Sequence, residues 1–287
     1  MGGVFECVAN VSEGQRADVL AELATACGDA LLDVHTDADH HRSVFTLAGG
    51  DPATVVEAAL RLARAVDRTV DLSRHAGVHP RLGALDVVPF VALDPAGAGQ
   101  AAEAGRSFSA AVASAFDLPV FLYDGADPAR RTLPSTRKEA FVSRAPDHGP
   151  QAPHPRLGAV CVGVRPPLIA INCELATDDV AVAAAVARAV RERDGGLPGV
   201  RALGFPLASR RRAQVSMNLV DLASTGLEAA CTAVDEQAHR LGSKVVAVEL
   251  VGLVPAAELA RCSPAFLAST GLGPDHSVEA RLQVAGG

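Results

Sequence analysis

The architecture of this chain is clearest in the segment DPATVVEAALRLARAVDRTV, residues 51–70. Asp51 followed by Pro52 is typical of a helix N-cap and first turn, because aspartate accepts a backbone N–H there and proline lacks one. Behind this pair, apolar residues recur every three or four positions, opposite a charged stripe. The apolar stripe comprises Val55, Ala59, Leu62, Val66 and Val70, and the charged stripe comprises Glu57, Arg61, Arg64 and Arg68. The segment therefore predicts a helix that buries one side.

Apolar runs of strand length flank this helix on both sides. They predict one strand before an earlier helix, two strands between the helices and a fourth strand after the second helix. The strands are residues 5–11, 31–34, 43–47 and 85–93, and the earlier helix is residues 17–27. This order is that of the split βαβ, ferredoxin-like sandwich. A further helix at residues 100–116 and a strand at 120–123 extend the unit.

A polar region, residues 124–156, precedes a second copy of the same order. Its end, residues 143–156, is too rich in proline and glycine for a helix and predicts a long ordered loop or linker. The second copy has predicted strands at 168–172, 200–205, 214–219 and 245–251, and helices at 227–241 and at 177–193, the latter ended by Gly195. We predict an α/β (α+β) protein of two ferredoxin-like βαββαβ subdomains, residues 1–167 and 168–287.

The composition limits the classes of partner. The chain has 287 residues, 49% of them hydrophobic, which suffices for one large domain or two small ones. A formal net charge of -7 argues against a nucleic-acid partner. The six cysteines show no CxxC spacing, the N-terminus lacks a secretory pattern, and no apolar run is long enough to cross a bilayer. We expect a cytoplasmic protein with small-molecule substrates and no membrane partner, and a homodimer stays open.

The hexapeptide HPRLGA occurs twice, at residues 79–84 and 154–159. In each copy a histidine held by a following proline stands two residues before an arginine, in a loop that runs into an apolar stretch. The copies lie closer together than the two repeated units, so they are not a product of that duplication. Their position favours one shared site, with His79 as a general acid/base and His75 orienting it. Two stiff strand-entry loops are the alternative.

The stretch DADHHR, residues 37–42, is dense in metal-ligating side chains. A divalent metal held there, with His79 or His154 as a further ligand, is one hypothesis. A solvated turn between strands is the other, and no HExxH spacing favours the metal. The chain also lacks the GxSxG, Walker A and GxGxxG signatures of serine hydrolases, nucleotide hydrolases and Rossmann dehydrogenases.

Five longer stretches together carry a resemblance to a known family. They are ECVANVSEGQR (6–16), LLDVHTDADHHR (31–42), GVHPRLGALDVVPF (77–90), AQVSMNLVD (213–221) and VELVGLVP (248–255). Over nearly its whole length the chain resembles the formiminotransferase domain of glutamate formimidoyltransferases, also found at the N-terminus of formiminotransferase-cyclodeaminase. The resemblance implies two α/β subdomains with a folate-binding tunnel between them. The separate helical cyclodeaminase domain is absent from this sequence.

The resemblance also implies site residues. The catalytic acid/base of the family falls on His79, and the folate-contacting segment falls on residues 149–158. That segment comprises Gly149, Pro150, Gln151, Ala152, Pro153, His154, Pro155, Arg156, Leu157 and Gly158. The departures from the family pattern are Ala9 for a proline, His41 for an asparagine, Val78 for an acidic residue and His35 for a carboxylate found in some members. If that carboxylate orients the catalytic histidine, its loss bears on the exact reaction.

The activity implied by the resemblance is transfer of a formimidoyl group from N-formimidoyl-L-glutamate to N5 of tetrahydrofolate, in histidine degradation and one-carbon metabolism. The amidine donor is cationic, so its carbon is already electrophilic and no metal is expected. A histidine with a pKa of about 6.5 can take the proton from N5 and return it to the leaving amine, which is the role of His79. Arg42 and Arg81 are the candidates for binding the substrate carboxylates. Asp33 is the candidate acceptor for the amidinium of the donor. Asn10, on the loop after the first strand, is the candidate for binding a polar edge of either substrate.

Other functions stay open at this point. A related folate enzyme could use a formyl donor, or cyclise 5-formyltetrahydrofolate with ATP, although no phosphate-binding loop is evident. A metal-dependent hydrolase built on residues 37–42 would lose activity to chelators. A folate-binding protein without turnover would bind tetrahydrofolate but consume no donor, and His35, His41 and Val78 motivate that alternative.

Overall fold

The computed structural model describes residues 3–75 and 81–285. The chain divides after Pro166 into two compact units, the first with a six-stranded sheet and the second with a four-stranded sheet. Each unit has a hydrophobic core of its own. No helix in the described ranges is long and apolar enough to cross a membrane.

In its described residues, the first unit combines a mixed sheet with four α-helices. Its strands are β1 (Phe5–Val11), β2 (Leu31–Asp37), β3 (Arg42–Gly49), β4 (Leu85–Ala92), β5 (Val120–Asp124) and β6 (Val160–Val164), and its helices are α1 (Ala17–Cys27), α2 (Pro52–Thr69), α3 (Ala98–Phe116) and α4 (Leu133–Glu139). The strand order is β2-β3-β1-β4-β6-β5. The first four strands pair antiparallel in the ferredoxin-like order, and β6 runs parallel to both β4 and β5.

Helix α2 forms as the sequence predicts. The side chain of Asp51 caps it by accepting the N–H of Ala53 at 2.9 Å, and Pro52 lies in the first turn. The whole predicted apolar stripe, Val55, Ala59, Leu62, Val66 and Val70, is at most 2% exposed. Because a fully buried valine or leucine side chain stabilises a fold by about 1.5–3 kcal/mol, this stripe holds α2 against the sheet.

Alternate residues of β1 point to opposite faces of the sheet. Phe5, Cys7, Ala9 and Val11 join the core under the helices. Ala9, one of the departures from the family pattern, is 1% exposed and therefore has a packing role. The other face of β1 carries Glu6, Val8 and Asn10.

Residues 124–156 differ most from the sequence prediction. They contain α4, where Thr132 caps the helix by accepting the N–H of Ser135. Leu133 and Phe141 pack against a second small core on the face of β4, β5 and β6 opposite α3, which comprises Val87, Phe121, Tyr123, Ala140, Ala159 and Cys161. Residues 143–156 form an ordered loop, as predicted. They do not link the two units, because β6 follows them in the first sheet, so the linker interpretation is wrong.

The second unit repeats the ferredoxin-like order. Its elements are β7 (Ile169–Leu175), α5 (Val180–Val190), β8 (Val200–Leu207), β9 (Arg212–Leu219), α6 (Leu227–Arg240), β10 (Val245–Val251), α7 (Ala256–Leu259), α8 (Pro264–Thr270) and α9 (Val278–Ala285). The strand order β10-β7-β9-β8 matches that of β4-β1-β3-β2 in the first unit. The predicted fold class of two α/β subdomains is thus confirmed.

Two features of the second unit depart from the prediction. Helix α5 is shorter than residues 177–193, because Asp179 caps it by accepting the N–H of Ala181 at 2.8 Å and a 3-10 turn, Glu192–Asp194, follows its end. The three short helices after β10 were not predicted, since none is long enough to show a clear period.

All six cysteines are buried free thiols. Burial raises the pKa of Cys27 and of Cys161 to about 12, so both thiols are neutral at pH 7 and poor nucleophiles. Cys173 and Cys231 approach each other with their Sγ atoms 4.0 Å apart and remain separate thiols. The cysteines therefore serve packing.

Candidate functional site

The turn after β1 is organised around the buried carboxylate of Glu13. Its Oε1 accepts the backbone N–H groups of Gly14, Gln15 and Arg16 at 2.8–3.0 Å, and its Oε2 pairs with the Arg16 guanidinium at 2.6 Å. Burial opposes the ionised form, but the hydrogen bonds from Arg16 and Gln15 outweigh it and lower the pKa of Glu13. Glu13 is therefore a fixed negative charge that shapes the turn.

The β2–β3 turn contains the DADHHR stretch. The Nδ1 atom of His40 lies 2.6 Å from Asp37 Oδ2, and despite burial this contact helps to lower the pKa of Asp37 to about 2. His41 adopts a left-handed backbone, with φ 50°, and its Nδ1 accepts the N–H of Gly14 at 3.0 Å. One ring nitrogen of each histidine is thus used inside the protein. Within residues 3–75 and 81–285, no three metal-ligating side chains are grouped to hold an ion, so the metal hypothesis gains no support there.

His41 and His75 form a stacked pair beside Arg81. Their ring centroids are 4.0 Å apart, His75 Nε2 lies 3.0 Å from the carbonyl oxygen of His41, and the Arg81 guanidinium contacts the His75 ring. Burial lowers the pKa of His41, and Arg81 and Arg16 lower it further against the opposing charge of Glu13. Burial and the charge of Arg81 also lower the pKa of His75. Both rings are therefore neutral at pH 7.

Asp86 connects the loop before β4 to α4. Its side chain is buried, and Oδ1 accepts the N–H of Leu82 at 2.7 Å and that of Gly83 at 3.3 Å. Its Oδ2 pairs with the guanidinium of Arg137. A single carboxylate thus fixes the loop backbone and a cation from a distant part of the sequence.

Asp86 forms an ion pair with Arg137 and also acts electrostatically on Arg42 and Arg81. We call Arg42, Arg81 and Arg137 the arginine cluster. Burial lowers the pKa of Arg42. The positive charges of Arg137 and Arg81 lower it further, whereas the carboxylates of Asp86 and Asp37 raise it. Burial and Arg137 also lower the pKa of Arg81, against the effect of Asp86. Positive charge is therefore concentrated here, a setting suited to a carboxylate or another small anion.

Asn10, His35 and Asp33 lie on the face of the first sheet opposite its core with α1, α2 and α3. Asn10 and His35 both pair with Val44, one from β1 and one from β2, so they share one row across three strands. Asn10 belongs to β1 itself, which corrects its expected position in the following loop; its side chain donates to the Val8 carbonyl oxygen at 3.1 Å. Among the described residues, no hydrogen bond or ion pair joins Asn10 or Asp33 to the arginine cluster.

Residues 149–158 form an exposed loop held by its own backbone. His154 and Gly158 exchange two backbone hydrogen bonds of 2.8 Å each, and His154 Nδ1 accepts the N–H groups of Arg156 and Leu157. The Arg156 guanidinium pairs with Asp67 at 2.6 Å. In this arrangement His154 stabilises its turn and Arg156 ties the loop to α2.

The two HPRLGA copies meet through their glycines. Gly83 and Gly158 form an antiparallel bridge, flanked by hydrogen bonds from Ala84 N–H to the Leu157 carbonyl at 2.9 Å and from Ala159 N–H to the Leu82 carbonyl at 3.0 Å. The repeat thus places two loops side by side. Its arginines diverge, since Arg81 contacts His75 while Arg156 pairs with Asp67.

His79 and Val78 lie outside the described residues, so the catalytic role of His79 stays a prediction. The residues that sequence reasoning missed are Glu13, Asp86 and Arg137. Glu13 and Asp86 stand inside stretches that carry the family resemblance, which is the signal that could have pointed to them. No sequence signal marks Arg137, because its partner is far away along the chain.

The fold defines an α/β protein of two ferredoxin-like units, the first of which carries the arginine cluster. Comparison with known families narrows this class. The N-terminal subdomain of the formiminotransferase domain matches residues 4–165, and the formiminotransferase domain matches residues 170–279. The chain belongs to the formiminotransferase family, which confirms the resemblance seen in the sequence.

Individual relatives agree with this assignment. A glutamate formimidoyltransferase from Streptococcus pyogenes serotype M1 is 35% identical over 90% of this chain and 91% of its own length. A glutamate formimidoyltransferase from Thermoplasma acidophilum is 33% identical and covers 98% of both chains. A formimidoyltransferase-cyclodeaminase from Sus scrofa is 37% identical over 89% of this chain but only 51% of its own length. The chain thus spans about half of that bifunctional relative.

Proposed function

We propose that this protein transfers the formimidoyl group of N-formimidoyl-L-glutamate to N5 of tetrahydrofolate and releases glutamate. The relatives named glutamate formimidoyltransferase, aligned over at least nine-tenths of their length, support this activity. The observation that carries the proposal in this chain is the arginine cluster around Asp86, because the donor has two carboxylates to bind. Arg42 and Arg81 take these carboxylates by charge-assisted hydrogen bonds.

The reaction exchanges one amine for another at the formimidoyl carbon. The N5 lone pair attacks this carbon, the π electrons of the C=N bond move to nitrogen, and N5 gives up its proton. The tetrahedral intermediate then collapses: the lone pair of the formimidoyl nitrogen re-forms the C=N bond, the bond to the glutamate nitrogen breaks, and that nitrogen takes a proton. We assign both proton transfers to His79, because one histidine with an ordinary pKa can act as base and then as acid at neutral pH.

The neutral histidine pair suits a cationic donor. The amidinium of the donor is positive, and protonated rings at His41 and His75 would repel it. Burial and Arg81 keep the pKa of both rings below the usual value, so they provide hydrogen-bonding groups without adding charge. Asp33 is our candidate acceptor for the amidinium, and Asn10 is our candidate for a polar edge of either substrate.

We assign the folate contact to residues 149–158. Seven of these ten residues are exposed, and the loop backbone is already fixed by its own hydrogen bonds. A fixed backbone loses little conformational entropy when a flat ring binds to it. Because Gly158 pairs with Gly83, this loop is joined directly to the chain segment that leads from Arg81 into β4.

The direct test mixes purified protein with tetrahydrofolate and N-formimidoyl-L-glutamate and follows glutamate release. We expect release that depends on both substrates and survives extensive EDTA treatment, because the amidinium carbon needs no Lewis acid. Release without tetrahydrofolate that is lost on chelation would instead establish a metal-dependent hydrolase. Binding of tetrahydrofolate with no consumption of the donor would establish a folate-binding protein without turnover.

A further inference from the structure

We propose that His41 is a further substrate-binding residue, whose Nε2–H donates a hydrogen bond to a carboxylate oxygen of the donor N-formimidoyl-L-glutamate. This inference rests on the proposed function. It assigns a direct substrate contact to the turn between β2 and β3.

The hydrogen bond at Nδ1 fixes the protonation of the His41 ring. The N–H of Gly14 is shared between Glu13 Oε1 and His41 Nδ1, each 3.0 Å away. A hydrogen on Nδ1 would point at this N–H, so Nδ1 is unprotonated and the ring is neutral. A neutral imidazole carries one hydrogen, on one of its two nitrogens, so Nε2 is a donor. The lowered pKa of His41 agrees with this geometry.

The Nε2 atom of His41 is open to a ligand. Among the residues that the structure describes, no group forms a hydrogen bond with it. The His41 side chain is 14% exposed, and Nε2 is not one of the buried polar atoms that lack a partner, so solvent reaches it. A ligand can therefore replace water at Nε2 without breaking a hydrogen bond of the fold.

The ring is held in place before any ligand binds. His41 has φ 50°, and its ring stacks on that of His75 with the centroids 4.0 Å apart. The turn that carries His41 packs backbone against backbone on the turn after β1. A Cβ on Gly14 would lie 2.4 Å from the Asp37 carbonyl oxygen and 2.6 Å from the Arg42 backbone nitrogen. A donor fixed in this way loses little conformational entropy on binding.

The chemistry of the substrate selects a carboxylate as the partner of Nε2–H. The amidinium has only N–H groups, which cannot accept from a ring N–H, whereas the two carboxylates offer ionised acceptor oxygens. A hydrogen bond to an ionised acceptor is stronger than one to a neutral carbonyl, such as those of folate. Positive charge is also close by, because the Arg81 guanidinium contacts the His75 ring that stacks on His41. The neighbouring carboxylate, Glu13, is occupied by three backbone N–H groups and by the Arg16 guanidinium.

The test compares two replacements that suit the backbone at position 41. Glycine adopts φ 50° freely but has no side-chain donor, whereas asparagine tolerates this backbone and keeps both an acceptor for Gly14 and an N–H donor. We expect His41→Gly to raise KM for N-formimidoyl-L-glutamate about 10- to 100-fold, with kcat within about 3-fold of wild type. His41→Asn should raise this KM less than about 5-fold, and KM for tetrahydrofolate should change less than about 3-fold in both variants.

The matched control is Arg211→Gly. It removes an exposed side chain from another position with φ 50°, in the turn before β9, and should leave both KM values unchanged. A donor KM that is equal in wild type and His41→Gly, or raised equally in His41→Gly and His41→Asn, would overturn the proposal. A rise confined to KM for tetrahydrofolate would also overturn it, because the hydrogen bond would then go to folate.

A second variant isolates the hydrogen on Nε2. A histidine methylated at Nε2, incorporated at position 41, keeps the stack on His75 and the acceptor for Gly14 but removes the donor. We expect it to unfold at the wild-type temperature and to raise the donor KM about as much as His41→Gly. A normal donor KM in the methylated protein would show that His41 only supports its neighbours, and would overturn the contact.

Calorimetric titration with L-glutamate keeps this inference distinguishable from the proposed function. We expect wild type and His41→Asn to bind L-glutamate with similar affinity, and His41→Gly to bind it at least about 10-fold more weakly. If wild-type protein releases no glutamate from the donor but this pattern of binding persists, the function is wrong and the carboxylate contact stands. Equal affinity in wild type and His41→Gly, or no binding of L-glutamate by wild type, would overturn the contact.

Discussion

Gly83 and Gly158, the glycines of the two HPRLGA copies, pair with each other as antiparallel partners. A Cβ on Gly83 would lie 2.1 Å from the Ala159 carbonyl oxygen, and one on Gly158 would lie 2.2 Å from the Leu82 carbonyl oxygen. Ser12 extends this contact, since its hydroxyl donates to the Gly83 carbonyl at 2.8 Å. The repeated hexapeptide therefore serves a backbone junction that joins the turn after β1, the loop before β4 and the proposed folate loop.

We predict that Gly158→Ala destabilises the protein by about 2–4 kcal/mol, because Gly158 has φ +71° and the new methyl group would clash with backbone. Urea unfolding measures the change. The control is Gly99→Ala in α3, where nothing lies within 4 Å, so the free energy of unfolding should stay equal or rise by up to about 1 kcal/mol. Similar stability in both variants would show that the junction tolerates a side chain.

We predict that His79→Ala lowers turnover by about 10²- to 10⁴-fold, the usual range for loss of a general acid/base. The variant should still fold, as checked by thermal unfolding. Its affinity for tetrahydrofolate should stay within a few-fold of wild type, as checked by titration. Near-normal turnover would remove His79 from the mechanism. His154→Ala is the comparison from the second copy, and because His154 accepts N–H groups of its own turn, we expect it to weaken folate binding more than chemistry.

We predict that stability falls as the pH is lowered from 7 to 5. The pKa values of His41 and His75 are below about 6.5, the value expected in the unfolded chain, so the unfolded state binds more protons in this range. Glu13, Arg16 and Arg81 are the charged groups that act on the pair. The contribution of the two neutral histidines to the free energy of unfolding is present above about pH 6.5 and is lost as the pH falls below it.

Replacing one ring tests this assignment. His41→Asn should flatten the decline between pH 7 and 5, and asparagine tolerates the left-handed backbone at this position. His239→Asn, on the exposed side of α6, is the control and should keep the wild-type pH dependence. Urea unfolding at both pH values gives the comparison, and an unchanged decline in His41→Asn would refute the role of the pair.

We predict that tetrahydrofolate slows hydrogen exchange of backbone amides in residues 149–158 and in the loop that contains His79. The proposed ligand covers an exposed loop, and the Gly83–Gly158 bridge couples that loop to the segment before β4. Mass spectrometry with and without ligand measures the effect. Protection elsewhere with both loops unaffected would show that the shared-site interpretation is wrong.

The elements predicted correctly from the sequence are those with strong local signals. Helix α2 has a cap, a first-turn proline and an uninterrupted apolar stripe, and all of these are local properties. Helix α4 has only seven residues and is held by Arg144 and by the packing of Leu133 on the second small core, so its stability comes from contacts that no short window displays. The sequence therefore indicated two repeated units but not what covers the far side of the first sheet.

The candidate site shows the same limit. The repeated hexapeptide marked both loops, but their pairing depends on a register that only the folded chain defines. Arg42 and Arg81 could be proposed from motifs, whereas the ion pair of Arg137 is with Asp86, which is distant in the sequence. The predicted first strand, residues 5–11, already contained Asn10, so the assignment of Asn10 to the following loop conflicted with it, and β1 does extend to Val11.

The most direct measurement follows a ¹³C-labelled formimidoyl carbon by NMR during turnover of N-formimidoyl-L-glutamate with tetrahydrofolate. We predict that the label leaves the glutamate nitrogen and appears on N5 of the folate, with one glutamate released for each group transferred. Label that remains on glutamate, or that is released to water as free formamide or formate in the presence of tetrahydrofolate, would contradict formimidoyl transfer by this protein.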